Sequence, residues 1–242
     1  MMPRSQLFSM VLALLCGAAC APMPARDATP IAPMPSAAQQ AGLVDVRSYV
    51  PYVSLDIRYA TAHNFVGTPV EGYNAARCWL HQSAAEALGK VAAGLRRENL
   101  RLHIYDCYRP ARSVAHFMRW ARDLKDQHTK AEFYPRLEKH ALVPGYIAER
   151  SGHSRGATID LTLSRCDAHG ACNVLDMGTT YDLFDVLANT DNAEITAAQR
   201  ANRDLLRDAM HRHGFANYPM EWWHFTFKPE PTPNTFFDIP LE

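Results

Sequence analysis

The sequence predicts an α+β fold, a single domain whose central antiparallel sheet is flanked by helices. Three observations lead there. Apolar residues make up 48% and charged residues 21% of the 242-residue chain, the balance of a soluble globular protein and not of a disordered one. Segments with a helical apolar period and segments that alternate with period two both occur. They do not follow one another as regular βαβ units, which favours antiparallel pairing.

The elements follow in chain order. Arg4, the apolar run Leu7 to Ala19 and the small residues before Cys20 have the basic, apolar and small-residue zones of a secretory signal peptide over residues 1–20, too short to anchor comfortably across a bilayer. Gly17-Ala18-Ala19-Cys20 resembles a bacterial lipoprotein processing site without its usual leading Leu, so Cys20 is a candidate lipid anchor. The mature chain is expected in the periplasm, or exported and held at a membrane by that anchor. Residues 21–42 are Ala, Pro and polar, a composition that buries no core and reads as a linker. The folded domain is expected over 43–242, without internal repeats.

Within it, Ser83-Ala84-Ala85-Glu86 has the form of a capping box, opening a helix to about Arg97 with Ala84, Leu88, Val91 and Leu95 at helical spacing. Leu102, Ile104 and Tyr105 predict a strand ending at Asp106 and Cys107. A helix after Pro110 carries Val114, Phe117, Met118 and Ala121 on one side. From Ala157 to Leu163, Ile159 and Leu161 share a face opposite Thr158, Asp160 and Thr162; that second face looks to solvent or into a cleft. Thr196-Ala197-Ala198-Gln199 is a second capping box, for a helix stopping by Gly214. A last strand runs from Trp223 to Phe227. Export favours disulfides over a thiolate metal site for Cys78, Cys107, Cys166 and Cys172. The simplest pairing closes a hairpin with Cys166 and Cys172 and leaves Cys78 with Cys107.

The 25 basic and 25 acidic residues cancel, so no global field collects nucleic acid or acidic lipid, and no local basic patch replaces it. The chemistry concentrates elsewhere. In Ser151-Gly152-His153-Ser154-Arg155-Gly156-Ala157-Thr158-Ile159-Asp160 a loop His precedes a strand Asp by seven positions, and in Glu221-Trp222-Trp223-His224 a Glu precedes a His by three. His153, Asp160 and His224 form a three-ligand set for Zn²⁺ of the kind that leaves a position open for water. Glu221 is then the carboxylate that takes the water's proton and returns it to a leaving amine. Arg109, in Tyr105-Asp106-Cys107-Tyr108-Arg109-Pro110, is placed either to stabilise an oxyanion or simply to pair with Asp106 or cap a helix.

These segments, with Tyr108-Arg109-Pro110, resemble the D-alanyl-D-alanine dipeptidases, zinc peptidases within the wider LAS-type group that includes D,D-carboxypeptidases. Arg58-Tyr59-Ala60-Thr61, Asn64-Phe65, Met177-Gly178 with Asp182, and Pro233-Asn234 with Phe237-Asp238 extend the likeness over Val46 to Pro240. The resemblance implies one Zn²⁺ on His153, Asp160 and His224, Glu221 as general base and acid, Arg109 at the oxyanion and Asp182 at the substrate ammonium. Ser151 and Tyr59 are its further candidates for the dipeptide pocket. It also implies a small dipeptide, D-alanyl-D-alanine, as substrate; no obligate protein partner is evident from the sequence. A D,D-carboxypeptidase, distinguished by cutting an N-acylated substrate, and a wall-binding module with structural zinc are the alternatives. An exported enzyme cannot deplete a cytosolic dipeptide pool, so peptidoglycan turnover or D-Ala recovery fits better than antibiotic resistance.

Overall fold

The computed structural model describes residues 33–242; the signal peptide, Cys20 and most of the linker lie outside the described residues. Its first element falls inside the expected linker. Ser36–Gln40 form the short helix α1 behind Pro35, and Ala38 is completely buried, so ordered packing begins ahead of Leu43. Two adjacent small residues let this turn lie close on the following strand, which composition alone does not reveal.

The strands β1 (Leu43–Asp45), β2 (Ser54–Leu55) and β3 (Trp79–His81) precede helix α2 (Gln82–Arg96) and strand β4 (Leu100–Asp106). Helix α3 (Ala111–Arg122) and the single turn α4 (Lys130–Phe133) lead to β5 (Thr158–Cys166) and β6 (Cys172–Val174). Helix α5 (Ala197–His211) and strands β7 (Phe215–Tyr218) and β8 (Glu221–Phe227) complete the fold. β1 and β3 pair by themselves, and the main sheet runs β2-β4-β5-β8-β7 with β6 beside β5. Among the described residues all strand pairs but one are antiparallel; the two-residue edge strand β2 lies parallel to β4.

Local signals are read with one exception. Thr196 and Gln199 exchange side-chain and backbone bonds as a complete capping box. At α2 the cap is instead His81, whose ring accepts from the Ser83 backbone N–H, and the helix starts at Gln82. β3 runs directly into α2, so His81 reaches the helix end first and Ser83 is already inside it. Both expected disulfides form, Cys78–Cys107 and Cys166–Cys172. Among the described residues no helix is long and apolar enough to cross a membrane.

β5 positions the site. Ile159, Leu161 and Leu163 are buried on one face, but Thr158, Asp160 and Thr162 are buried too, so the second face is covered and Asp160 looks into a cleft. Across the sheet Asp106 of β4 pairs with Asp160, and Asp160 pairs with His224 of β8. Cross-strand partners share a face, so three polar residues from three strands form one row. A register irregularity between Ile104 and Asp106 brings the first of them into line.

Candidate active site

The row opens into a cavity of about 300 Å³. His153 reaches it from a 3-10 turn, Gly152–Arg155, whose first backbone N–H groups are capped by Ser151: its Oγ accepts from the His153 N–H at 3.2 Å. The turn ends at Gly156 with φ +75°, where an added Cβ would stand 2.7 Å from Leu43 Cδ2. Only glycine permits both the left-handed conformation and the approach, and the chain then enters β5 with Asp160 four residues on. Glu221 and His224 would face opposite sides of a regular strand. A register shift between Asn217 and Tyr218 breaks that regularity, and the Asn217 amide donates to the Glu221 and His224 carbonyls at 3.1 and 3.0 Å. Glu221 Oε2 thereby comes within 3.5 Å of His224 Nδ1.

His153, Asp160 and His224 offer ligand atoms that all lie within 4.8 Å of one another. Their bonding fits a cation. His153 Nδ1 lies 2.6 Å from the Cys107 carbonyl; a carbonyl only accepts, so Nδ1 carries the proton and Nε2 keeps its lone pair for the site. Burial lowers the pKa of this ring and favours the neutral form a metal needs. Asp160 Oδ1 is buried and has no hydrogen-bond partner among the described residues, although His224 Nδ1 is 3.1 Å away. The two Asp160 oxygens each face one imidazole, Oδ1 toward His224 and Oδ2 3.3 Å from His153 Nε2, which is a ligand arrangement, since an unpaired buried charge is otherwise costly.

Neighbouring carboxylates are pushed in opposite directions. For Asp160 burial favours the neutral acid, but attraction to His153 and His224 outweighs it and holds the group far below the usual range. His224 is disfavoured as a cation by burial, yet Asp160 raises its pKa. Glu221 is pushed up to about 7, first by burial and then by the charge of Asp160, against the pull of His224. Asp182 is raised well above the carboxylate range by burial and by Asp160.

Arg109 resolves a like-charge problem. Asp106 and Asp160 stand opposite one another, and Arg109 donates through Nε and Nη2 to Asp106 Oδ2 at 3.0 and 2.8 Å while Nη2 lies 3.7 Å from Asp160. Its planar head sits 5.0 Å from the centres of the Tyr59 and Phe117 rings. The pairing with Asp106 and a place in the cavity wall are thus both realised. Among the described residues Nη1 makes no hydrogen bond.

Asp182 is not a helix cap. It has φ +61°, is buried, and accepts from the Tyr59 hydroxyl at 2.9 Å. All eight residues singled out in the sequence, including Ser151 and Tyr59, border this cavity. Others were not singled out. Tyr181 bonds to Asp160 Oδ2 at 3.1 Å. Tyr73 donates to Asp106 at 2.6 Å. Buried Arg203 donates to the Met177, Asn189 and Leu187 carbonyls at 2.7, 2.6 and 3.0 Å, closing the ends of the loop that carries Tyr181 and Asp182. Tyr181 adjoins the noted Asp182, which is a usable signal; Arg203 stands three and seven positions before Leu206 and Met210, so a lone arginine on the apolar stripe of α5 is a second one.

The sequence profile described as D-ala-D-ala dipeptidase, Peptidase_M15, matches residues 39–242. The chain belongs to this family. Among relatives, a D-alanyl-D-alanine dipeptidase of Streptomyces coelicolor is 41% identical over 81% of this chain and 96% of its own. The enzyme of that name from Enterococcus faecium is 37% identical over 78% and 93%, and that from Escherichia coli K12 is 34% identical over 76% and 83%. A solved vancomycin-resistance D,D-pentapeptidase VanY variant in complex with Zn(II) shows a distant likeness, 13% identity and a TM-score of 0.37 over 62% of this chain and 73% of that one. The matched span of this M15 family member contains the whole cavity wall.

Proposed function

We propose that the chain hydrolyses D-alanyl-D-alanine to two D-alanines, with Zn²⁺ held by His153, Asp160 and His224. Zinc bound there supplies Lewis acidity toward the peptide carbonyl and the attacking water. Glu221 takes the water's proton and delivers it to the departing amine; its carboxylate, 3.5 Å from His224 Nδ1, stands beside the ligand set where that water would sit. Arg109, preorganised by Asp106, stabilises the charge developing on the carbonyl oxygen through its remaining donors. Asp182, held by Tyr59, receives the substrate ammonium. Ser151 borders the dipeptide and fixes the turn that presents His153.

The observation that carries this reading is the depth of Asp182. A buried carboxylate bonded among the described residues to a phenol and to no cation rewards a ligand that brings its own ammonium and rejects an acylated amine, which leaves the carboxylate unpaired. The name this chain's relatives share, D-alanyl-D-alanine dipeptidase, agrees. We further propose an exported enzyme with a signal peptide over 1–20 and a lipid anchor at Cys20, acting in peptidoglycan turnover or D-Ala recovery. The two disulfides support the oxidising compartment.

Alanine release from D-Ala-D-Ala, L-Ala-L-Ala and N-acetyl-D-Ala-D-Ala, each with and without chelator, tests the function. Chelator-sensitive cleavage of the free D,D-dipeptide alone is expected. Cleavage of the acetylated compound at a similar rate makes the chain a D,D-carboxypeptidase and removes Asp182 from its role.

A further inference from the structure

We infer that Tyr181 is a positioning residue for Asp160, holding Oδ2 by its single hydroxyl proton so that Oδ1 is the oxygen presented to the metal, and that it shares this proton with Tyr59. The inference rests on the reading of Asp160 as a ligand. Its observations are separate from that reading.

Tyr181 does not border the cavity. It stands behind the wall, stacked on Tyr105 with ring centres 4.5 Å apart and an 11° tilt, and edge-on to Trp223 at 5.5 Å. With two rings fixing its plane, the hydroxyl has little freedom. It lies 3.1 Å from Asp160 Oδ2 and 3.1 Å from the Tyr59 hydroxyl, which itself donates to Asp182 Oδ2. The Asp160 carboxylate is therefore asymmetric: Oδ2, 3.3 Å from His153 Nε2, has a hydroxyl donor, and buried Oδ1, 3.1 Å from His224 Nδ1, has no bonded partner among the described residues. A donor fixed on one oxygen stops the carboxylate from rotating and decides which lone pairs remain for a cation.

The sharing follows from proton counting. A phenol has one proton to give, and Tyr181 has two acceptors at equal distance. Tyr59 spends its own proton on Asp182, and a hydroxyl that donates becomes a better acceptor. Tyr59 thus competes with Asp160 for Tyr181. The four groups Asp182, Tyr59, Tyr181 and Asp160 form one buried chain between the proposed ammonium carboxylate and the proposed metal ligand.

The two tyrosines are therefore expected to fail differently. Competition of the whole protein against a chromophoric chelator for Zn²⁺ reads the metal site without using activity, and melting of the metal-free protein reads the fold. Tyr181→Phe keeps the ring stack and removes only the oxygen. It is expected to weaken Zn²⁺ affinity about 10- to 100-fold, the usual effect of removing an outer partner of a ligand, with the melting temperature of the metal-free protein little changed. Tyr59→Phe removes the competitor, leaves the Tyr181 proton to Asp160, and is expected to hold Zn²⁺ at least as tightly as the wild type. Unchanged affinity in Tyr181→Phe overturns the positioning role, and equal weakening by both variants overturns the sharing. Should Tyr181→Phe melt early, the Tyr59→Phe arm still decides, because loss of affinity there contradicts the proposal. A wild-type protein that binds no Zn²⁺ fails the ligand reading instead.

Discussion

Two disulfides close loops of different size in this domain, and their surroundings differ far more than their lengths. Cys78–Cys107 spans 29 positions and is buried; Cys166–Cys172 spans six at the tip of the β5–β6 hairpin, with Asp167 and Gly170 exposed between them. Loop-closure entropy alone separates them by only about 1 kcal/mol. What leans on the pinned backbone separates them more. The Cys107 carbonyl sets the tautomer of His153, Asp106 before it holds Arg109, and the Tyr108 hydroxyl after it accepts from the Ile239 N–H of the C-terminal strap. The hairpin tip holds its own turn, with Asp167 accepting from the His169 and Ala171 N–H groups. A cross-link acts on function through the groups bonded to the chain beside it.

Four measurements sharpen or break this contrast. The largest effect is expected in the cavity, where Glu221→Gln should lower turnover about 10²- to 10⁴-fold and keep its zinc by elemental analysis; metal loss would make Glu221 a ligand. Replacing Cys78 and Cys107 together by Ala should cost about 3–4 kcal/mol in denaturant unfolding and also weaken Zn²⁺ binding in chelator competition. If zinc affinity is untouched, the Cys107 carbonyl does not orient His153.

The third effect is on pH. In the metal-free protein Glu221 titrates at about 7, above its ordinary 4.5, so the fold prefers its protonated form. That preference is fully present below about pH 4.5 and is lost as pH rises through 7, a decline of about 3 kcal/mol. Urea midpoints of metal-free wild type and Glu221→Gln at pH 5 and pH 8 should diverge, the wild type losing more; parallel behaviour refutes the burial of this charge. The smallest effect belongs to the hairpin. Replacing Cys166 and Cys172 by Ala should cost about 2 kcal/mol and leave kcat within twofold in a D-Ala-D-Ala assay, and a large fall in kcat would erase the contrast between the two bridges.

Much of the site was legible before any fold was known. Seven positions separate His153 from Asp160 and three separate Glu221 from His224, and the residue types alone assemble a metal set with a spare base. The rest depended on register. Asp106 appeared as one possible partner of Arg109; its place opposite Asp160 requires a β4 irregularity that no local pattern announces. Ser83 has the right residue type for a cap and loses to His81 because of the strand that enters the helix.

What the sequence determined by itself is what short-range chemistry encodes: the Thr196 capping box, the apolar stripe of α3, the glycine turn between His153 and β5, and the hairpin bridge, each decided within a few residues of backbone. Tertiary structure alone decided the ionisation of the carboxylates and the partners of the tyrosines. Asp160 and Asp182 are the same side chain in the same cavity, and one is held ionised while the other is driven toward its neutral form. The difference is which groups from distant strands and loops stand within a few ångströms, two imidazoles beside the first and a single phenol beside the second. Electrostatic energy in a buried site falls with distance and rises with exclusion of water, and both are properties of the folded arrangement.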